Sequence, residues 1–137
     1  MKKTGFSLME MIVVIVIIGL VAAFAIPNYH KTIVKTTLKS CLDELNLVHG
    51  SQKLYRIENG NYFPEWGDGD ATWAQMKVAL GLELLPQDDV TYSCLDTGNN
   101  QTFDCRATGN ANLGNFVAQV THAPLSATNP ACISNCP

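Results

Sequence analysis

Residues 11–26 (MIVVIVIIGLVAAFAI) hold no charge and no strongly polar side chain. Phe6 to Ile26 is 21 residues, roughly 31 Å of helix at about 1.5 Å per residue. That length matches a bilayer hydrocarbon core of about 30 Å. Beyond Pro27 the pattern changes. Val34, Leu38, Cys41, Leu45, Val48, Gln52 and Tyr55 recur at alternating spacings of four and three, with Lys31, Lys35, Lys39, Asp43, Glu44 and Lys53 on the opposite side. This spacing predicts one apolar face of an amphipathic helix, with Gln52 its single polar member. The helix should end near Asn59-Gly60, where glycine can take the left-handed cap.

The remainder reads as short elements in polar surroundings. Asp70 is placed to cap a short helix running to about Leu80 and closed by Gly81. Val90 to Cys94, Thr102 to Ala107 and Phe116 to His122 alternate apolar and polar residues between Gly and Asn clusters, and so predict three strands. Gly98-Asn99-Asn100 predicts a tight turn. The fold class expected is α+β, a long N-terminal helix on a small antiparallel sheet.

The chain of 137 residues fits one domain. Residues 57–137 carry Lys77 and Arg106 against Glu58, Glu65, Asp68, Asp70, Glu83, Asp88, Asp89, Asp96 and Asp104. An acidic surface of this kind repels phosphates, so no nucleic-acid binding is expected. Four of the five cysteines, Cys94, Cys105, Cys132 and Cys136, lie in the polar half without a CxxC pair or zinc spacing. They point to two disulfides formed in an oxidising compartment. If Asn99 and Asn100 centre the turn, Cys94 falls opposite Cys105 and Cys132 is left to pair with Cys136; four cysteines allow about three connectivities. Cys41 lies on the apolar helix face and reads as a buried thiol.

Candidate chemistry is sparse. His30, His49 and His122 read as structural or surface residues. Asp68-Gly69-Asp70 and Asp88-Asp89 fall short of a full calcium ligand set and read as turn and cap acids, so neither a metal nor any other cofactor is expected. Asn100-Gln101-Thr102 fits a glycosylation sequon, a pattern too short to weigh much. The sequence lacks a phosphate loop, a nucleophile elbow and a convincing catalytic carboxylate pair, so an enzyme is not expected.

Lys2 and Lys3 precede the apolar run, which keeps the N-terminus cytoplasmic and the rest outside. With Ala23-Phe24-Ala25 they also imitate an ordinary secretory signal cut after Ala25, and that cut would release a disulfide-bonded binding module. Glu10 argues against such a signal. It is the only charge between Lys3 and His30, and a carboxylate inside a bilayer costs about 2.5–3.5 kcal/mol even on lenient scales. An assembling helix has a use for that charge if a neighbour supplies a cation.

Lys2-Lys3-Thr4-Gly5-Phe6-Ser7-Leu8-Met9-Glu10 followed by the apolar run resembles the class III signal of type IV pilins and type II secretion pseudopilins. The resemblance implies cleavage between Gly5 and Phe6 by a prepilin peptidase, N-methylation of Phe6, and retention of the helix. It also implies a Glu10 pairing with the Phe6 ammonium of an adjacent subunit. Gly19 and Pro27 are the expected kink positions. Tyr55-Arg56-Ile57-Glu58-Asn59-Gly60-Asn61-Tyr62-Phe63-Pro64 resembles the family's helix-to-loop turn, with Phe63 as one inserted residue.

The expected organisation is a leader at 1–5, a transmembrane and filament-core helix at 6–29, an amphipathic half at 30–59, and a head of loop and sheet at 60–137. The family implies a homo-oligomeric helical filament, waiting in the bacterial inner membrane and then forming an extracellular pilus. An inner-membrane assembly platform with a separate ATPase would drive extraction. The runner-up is a secretion pseudopilin in a short periplasmic filament. Glu65-Trp66-Gly67-Asp68 stands where major secretion pseudopilins usually carry a Thr-Thr-Glu-Gln-Gly-Leu-like run, which favours the pilin.

Overall fold

The computed structural model describes residues 5–65, 69–83, 88–95, 97, 101–123 and 129–137, with the side chains of 25–28 outside that set. The chain divides into two units, Met1–Ile33 and Val34–Pro137. Helix α1 (Leu8–Asn59) contributes to both.

In the first unit α1 is a single layer. Phe6, Leu8, Met9 and the large apolar side chains from Met11 to Phe24 are exposed. Among the described residues no single helix is long and apolar enough to cross a membrane, while the segments Leu8–Phe24 and Tyr29–Asn59 pass that test as a pair.

In the second unit the amphipathic stripe does what its spacing predicts. Val34, Cys41, Leu45, Val48 and Gln52 are buried, and Leu38 and Tyr55 pack against the same core. The sheet they cover is an antiparallel meander in the order β1-β2-β3-β4-β5, with β1 (Ala71–Thr72), β2 (Val90–Leu95), β3 (Asp104–Gly109), β4 (Val117–Thr121) and β5 (Ala131–Ser134). The alternation of each central strand sends Tyr92, Cys94, Cys105, Ala107, Ala118 and Val120 inward. The outward residues pair along and across strands: within β3 Arg106 bridges Asp104 at 2.8 Å, and from β4 Gln119 donates to the same carboxylate at 2.6 Å. The protein is thus α+β, a long N-terminal helix packed on a five-stranded antiparallel sheet.

Three expectations need correction. The sheet has five strands rather than three, because β1 and β5 are too short to show alternation. The short helix α2 (Trp73–Ala79) is capped by Thr72, not Asp70. Gln75 accepts from the Thr72 N–H at 2.8 Å and from its hydroxyl at 2.9 Å, and Asp70 lies two residues too early. The second and third predicted strands begin one to two residues late, at Asp104 and Val117. Phe103 and Phe116, read as strand residues, instead plug the core just outside them.

Helix α1 ends at Asn59. Gly60 takes φ +83°, and its N–H donates to the Arg56 carbonyl at 2.8 Å. The chain that follows is held by Gln52. Its amide donates to the Phe63 carbonyl at 2.6 Å and accepts from the Phe63 N–H at 3.0 Å. The inserted Phe63 is therefore absorbed by a side-chain clamp that mimics one rung of a strand ladder. The same amide nitrogen lies 3.7 and 3.6 Å from the sulfurs of Cys94 and Cys105. One polar residue in an apolar stripe thereby joins helix, turn and sheet.

Candidate assembly interface at the N-terminal helix

Gly5, Phe6 and Ser7 are exposed and precede the helix, so the Gly5–Phe6 peptide bond lies outside regular structure. Helix α1 then starts at Leu8 with Glu10 in its first turn. The Ser7 N–H donates to Glu10 Oε2 at 2.8 Å. This is one half of a capping box, in which a side chain at the third helical position reaches back to the cap's backbone N–H. A carboxylate here also meets the positive end of the helix dipole. Sequence reasoning assigned Glu10 only to a partner's cation; the signal for this second role was present as Ser7-x-x-Glu10.

Around the carboxylate, Phe6, Met9, Val13 and Val14 form a shallow groove of about 390 Å³. Its walls are apolar apart from Glu10. Among the described residues no Lys, Arg or His pairs with Glu10. Chemically the groove suits a cation carried on an apolar group. Gly19 lies within uninterrupted helix with open space around its α-carbon. Pro27 also falls within the helix, and its side chain lies outside the described residues.

The cysteines fall in three settings. Cys94 and Cys105 are partners in the β2–β3 register and form a disulfide with both residues fully buried. The turn predicted at Gly98-Asn99-Asn100 lies outside the described residues. Cys132 and Cys136 form a second, outward-lying disulfide. Cys41 is a buried thiol outside both disulfides, and burial pushes its pKa up against a smaller opposing effect of the Tyr92 hydroxyl.

The other candidates carry no chemistry. His49 is buried, and its Nε2 donates to the Ala123 carbonyl at 3.0 Å. Burial holds its pKa below the ordinary value. Buried Asn129 donates to the same carbonyl at 2.6 Å and accepts from the Thr121 N–H at 2.9 Å. That network pins the segment before β5 to α1, a role sequence reasoning missed because His49 and Ala123 lie 74 residues apart. His30 and His122 are exposed. Among the described residues no group of three His, Cys, Asp or Glu could hold a metal. Asp70 and Asp88 are exposed, Asp89 accepts from the Asn110 amide, and Asp68 and Asn100 lie outside the described residues.

Comparison with known proteins bears on this N-terminal segment. Residues 1–26 match the family described as the prokaryotic N-terminal methylation motif. In this segment the chain is similar to type II secretion core proteins and to a type IV pilin. It is 31% identical over 61 residues to the "Type II secretion system core protein G" of Vibrio cholerae, a stretch of 44% of this chain and 42% of that one. The Escherichia coli K12 protein of the same name gives 31% identity over 61 residues, again 44% and 42%. "Type IV major pilin protein PilA" of Myxococcus xanthus gives 33% over 61 residues, 44% of this chain and 28% of the relative. The chain thus spans less than half the length of the curated relatives it matches. No solved structure matches. The relatives thus include both type II secretion core proteins and a type IV major pilin.

Proposed function

We propose that this chain is a structural subunit of a type IV pilus, assembled through its N-terminal helix after a prepilin peptidase cuts between Gly5 and Phe6. The observation that carries this reading is the groove at residues 6–14, where one carboxylate is ringed by Phe6, Met9, Val13 and Val14 at the head of a long exposed apolar helix. A contiguous apolar surface of that extent needs lipid or other helices around it. Residues 6–29 therefore act first as a membrane anchor in the inner membrane and then as a filament core.

Cleavage at Gly5 frees an ammonium on Phe6 and removes Lys2 and Lys3. In the filament the Phe6 ammonium of one subunit meets Glu10 of the next. Removing either partner leaves the other buried and unpaired, which is far costlier than leaving the pair intact. The pair therefore sets register more than it adds net stability. Phe6 is the methylation site. Gly19 and Pro27 are the positions at which the helix bends as lipid contacts give way to helix contacts. Extraction is driven by an assembly platform with its own ATPase. The head, residues 60–137, lies outside the cytoplasm, where two disulfides persist.

A second reading is a type II secretion pseudopilin in a periplasmic filament, favoured by the relatives named core protein G. The pilus reading is favoured by Glu65-Trp66-Gly67-Asp68 after the helix-to-loop turn. Mass spectrometry of the mature N-terminus tests both against a secreted module. A methylated Phe6 start supports assembly, and an Ile26 start refutes it. Electron microscopy of cells producing the chain then separates surface fibres from a periplasmic polymer.

A further inference from the structure

We propose, resting on the membrane-anchor reading above, that Lys31, Lys35 and Lys39 form a basic collar that takes anionic phospholipid headgroups at the outer face of the inner membrane. All three lysines are exposed. Successive steps of four keep neighbouring lysines on one side of α1. Among the described residues none of the three has a carboxylate partner, so the subunit's own packing leaves these cations uncompensated.

Charge is segregated along the chain. No Asp or Glu stands between Glu10 and Asp43, while residues 43–137 carry eleven acids against Lys53, Arg56, Lys77 and Arg106. The basic stretch begins just past the apolar run, and the acidic part follows it. An anionic surface attracts the first and repels the second, which favours a lipid layer at the collar over a polyanion bound along the whole chain. Tyr29, 70% exposed, stands between the apolar run and Lys31, where amphipathic rings gather at a membrane boundary.

Helix length orders the three by depth. Counted along the helix from Ile26, Lys31 lies about 7.5 Å on, Lys35 about 13.5 Å and Lys39 about 19.5 Å. The headgroup layer is about 5–8 Å deep on each side of the hydrocarbon. Lys31 therefore lies at its edge, and Lys35 reaches back towards it on its four-carbon stem. Lys39 acts only through the surface field, which fades over about 8–10 Å in ordinary salt. Cleavage at Gly5 removes Lys2 and Lys3, so the mature helix keeps no Lys or Arg on its cytoplasmic side. Phosphates at the outer face then hold the waiting subunit at its depth, and extraction releases that hold.

The test places the full chain in phosphatidylcholine vesicles doped with spin-labelled phosphatidylglycerol or spin-labelled phosphatidylcholine. A Lys2→Gln, Lys3→Gln background removes the lysines of the other flank. The fraction of each label immobilised at the protein gives the lipid preference. Phosphatidylglycerol should be enriched about fivefold at low salt, and the enrichment should vanish in about 1 M sodium chloride, where charges are screened beyond about 3 Å. Changing Lys31, Lys35 and Lys39 together to Gln should abolish the preference, and changing them together to Arg should keep it. Lys31→Gln alone should cost more of it than Lys39→Gln alone. Near-UV circular dichroism of every variant should match the parent, since all three side chains are on the surface. Spin-labelled phosphatidylcholine, immobilised by the apolar helix whatever its charge, reports the anchor separately. Immobilised phosphatidylcholine with no preference for phosphatidylglycerol, or a preference that survives the triple glutamine change, overturns the collar and leaves the anchor intact. No preference together with loss of polymer from the triple glutamine variant in cells gives the lysines to a protein contact and overturns the collar as well. No immobilised lipid of either kind overturns both readings.

Discussion

Replacing Gln52 with leucine should lower the unfolding midpoint by about 5–15 °C. The substitution keeps the side chain's size and the helix but removes both hydrogen bonds to the Phe63 backbone, at 2.6 and 3.0 Å. A buried backbone group left without a partner costs about 1–3 kcal/mol. Phe63 is only half-buried, so water reaches its backbone in part and the low end applies to each group, about 2 kcal/mol for the pair. Better transfer of a leucine side chain returns less than about 1 kcal/mol. The net loss is about 1–2 kcal/mol, and each kcal/mol shifts the midpoint by about 4–8 °C in a domain of this size. Gln52→Ala should fall further, because it adds a cavity beside the Cys94–Cys105 disulfide. The assay is thermal unfolding of the full chain in detergent, followed by near-UV circular dichroism with disulfides intact. A Gln52→Leu midpoint within about 2 °C of wild type would show that the Phe63 backbone is satisfied without the clamp.

Other outcomes follow from the same geometry. Glu10→Ala should leave a chain that fractionates with membranes but yields little polymer; a normal filament yield would contradict the pairing role. His49 is held neutral by burial, so its folded pKa lies below the unfolded value of about 6.5. Its contribution to stability is complete above that value and is lost as pH falls below it. Urea midpoints should drop between pH 7 and 5, and His49→Gln should flatten that dependence. Reductant without denaturant should open Cys132–Cys136, which lies outward, before the fully buried Cys94–Cys105 pair; peptide mapping of alkylated cysteines gives the order. Gly109→Ala would put a Cβ 2.7 Å from the buried Phe116 ring, which should destabilise by about 1–3 kcal/mol in the same thermal assay.

What the linear chain determined is whatever has a period or a local motif. The apolar run and the core stripe from Val34 to Tyr55 were legible because helical spacing puts their members on one face whatever packs there. The pairing of Cys94 with Cys105 was expected from a turn centred on Asn99 and Asn100, which lie outside the described residues, and the strand register agrees with it. Ser7-x-x-Glu10 was equally local, and only the pull of a more specific motif hid its capping half. Tertiary structure decided the rest. Strands β1 and β5 hold two and four residues, too few for alternation to register, and exist because a neighbouring strand supplies their hydrogen bonds. Gln52 looked like a blemish in a stripe until Phe63 and the disulfide arrived from 11 to 53 residues away. His49 became a structural donor only when Ala123 closed over it. Contacts between positions that distant leave no spacing to read, since their partners are chosen by how the sheet stacks on the helix.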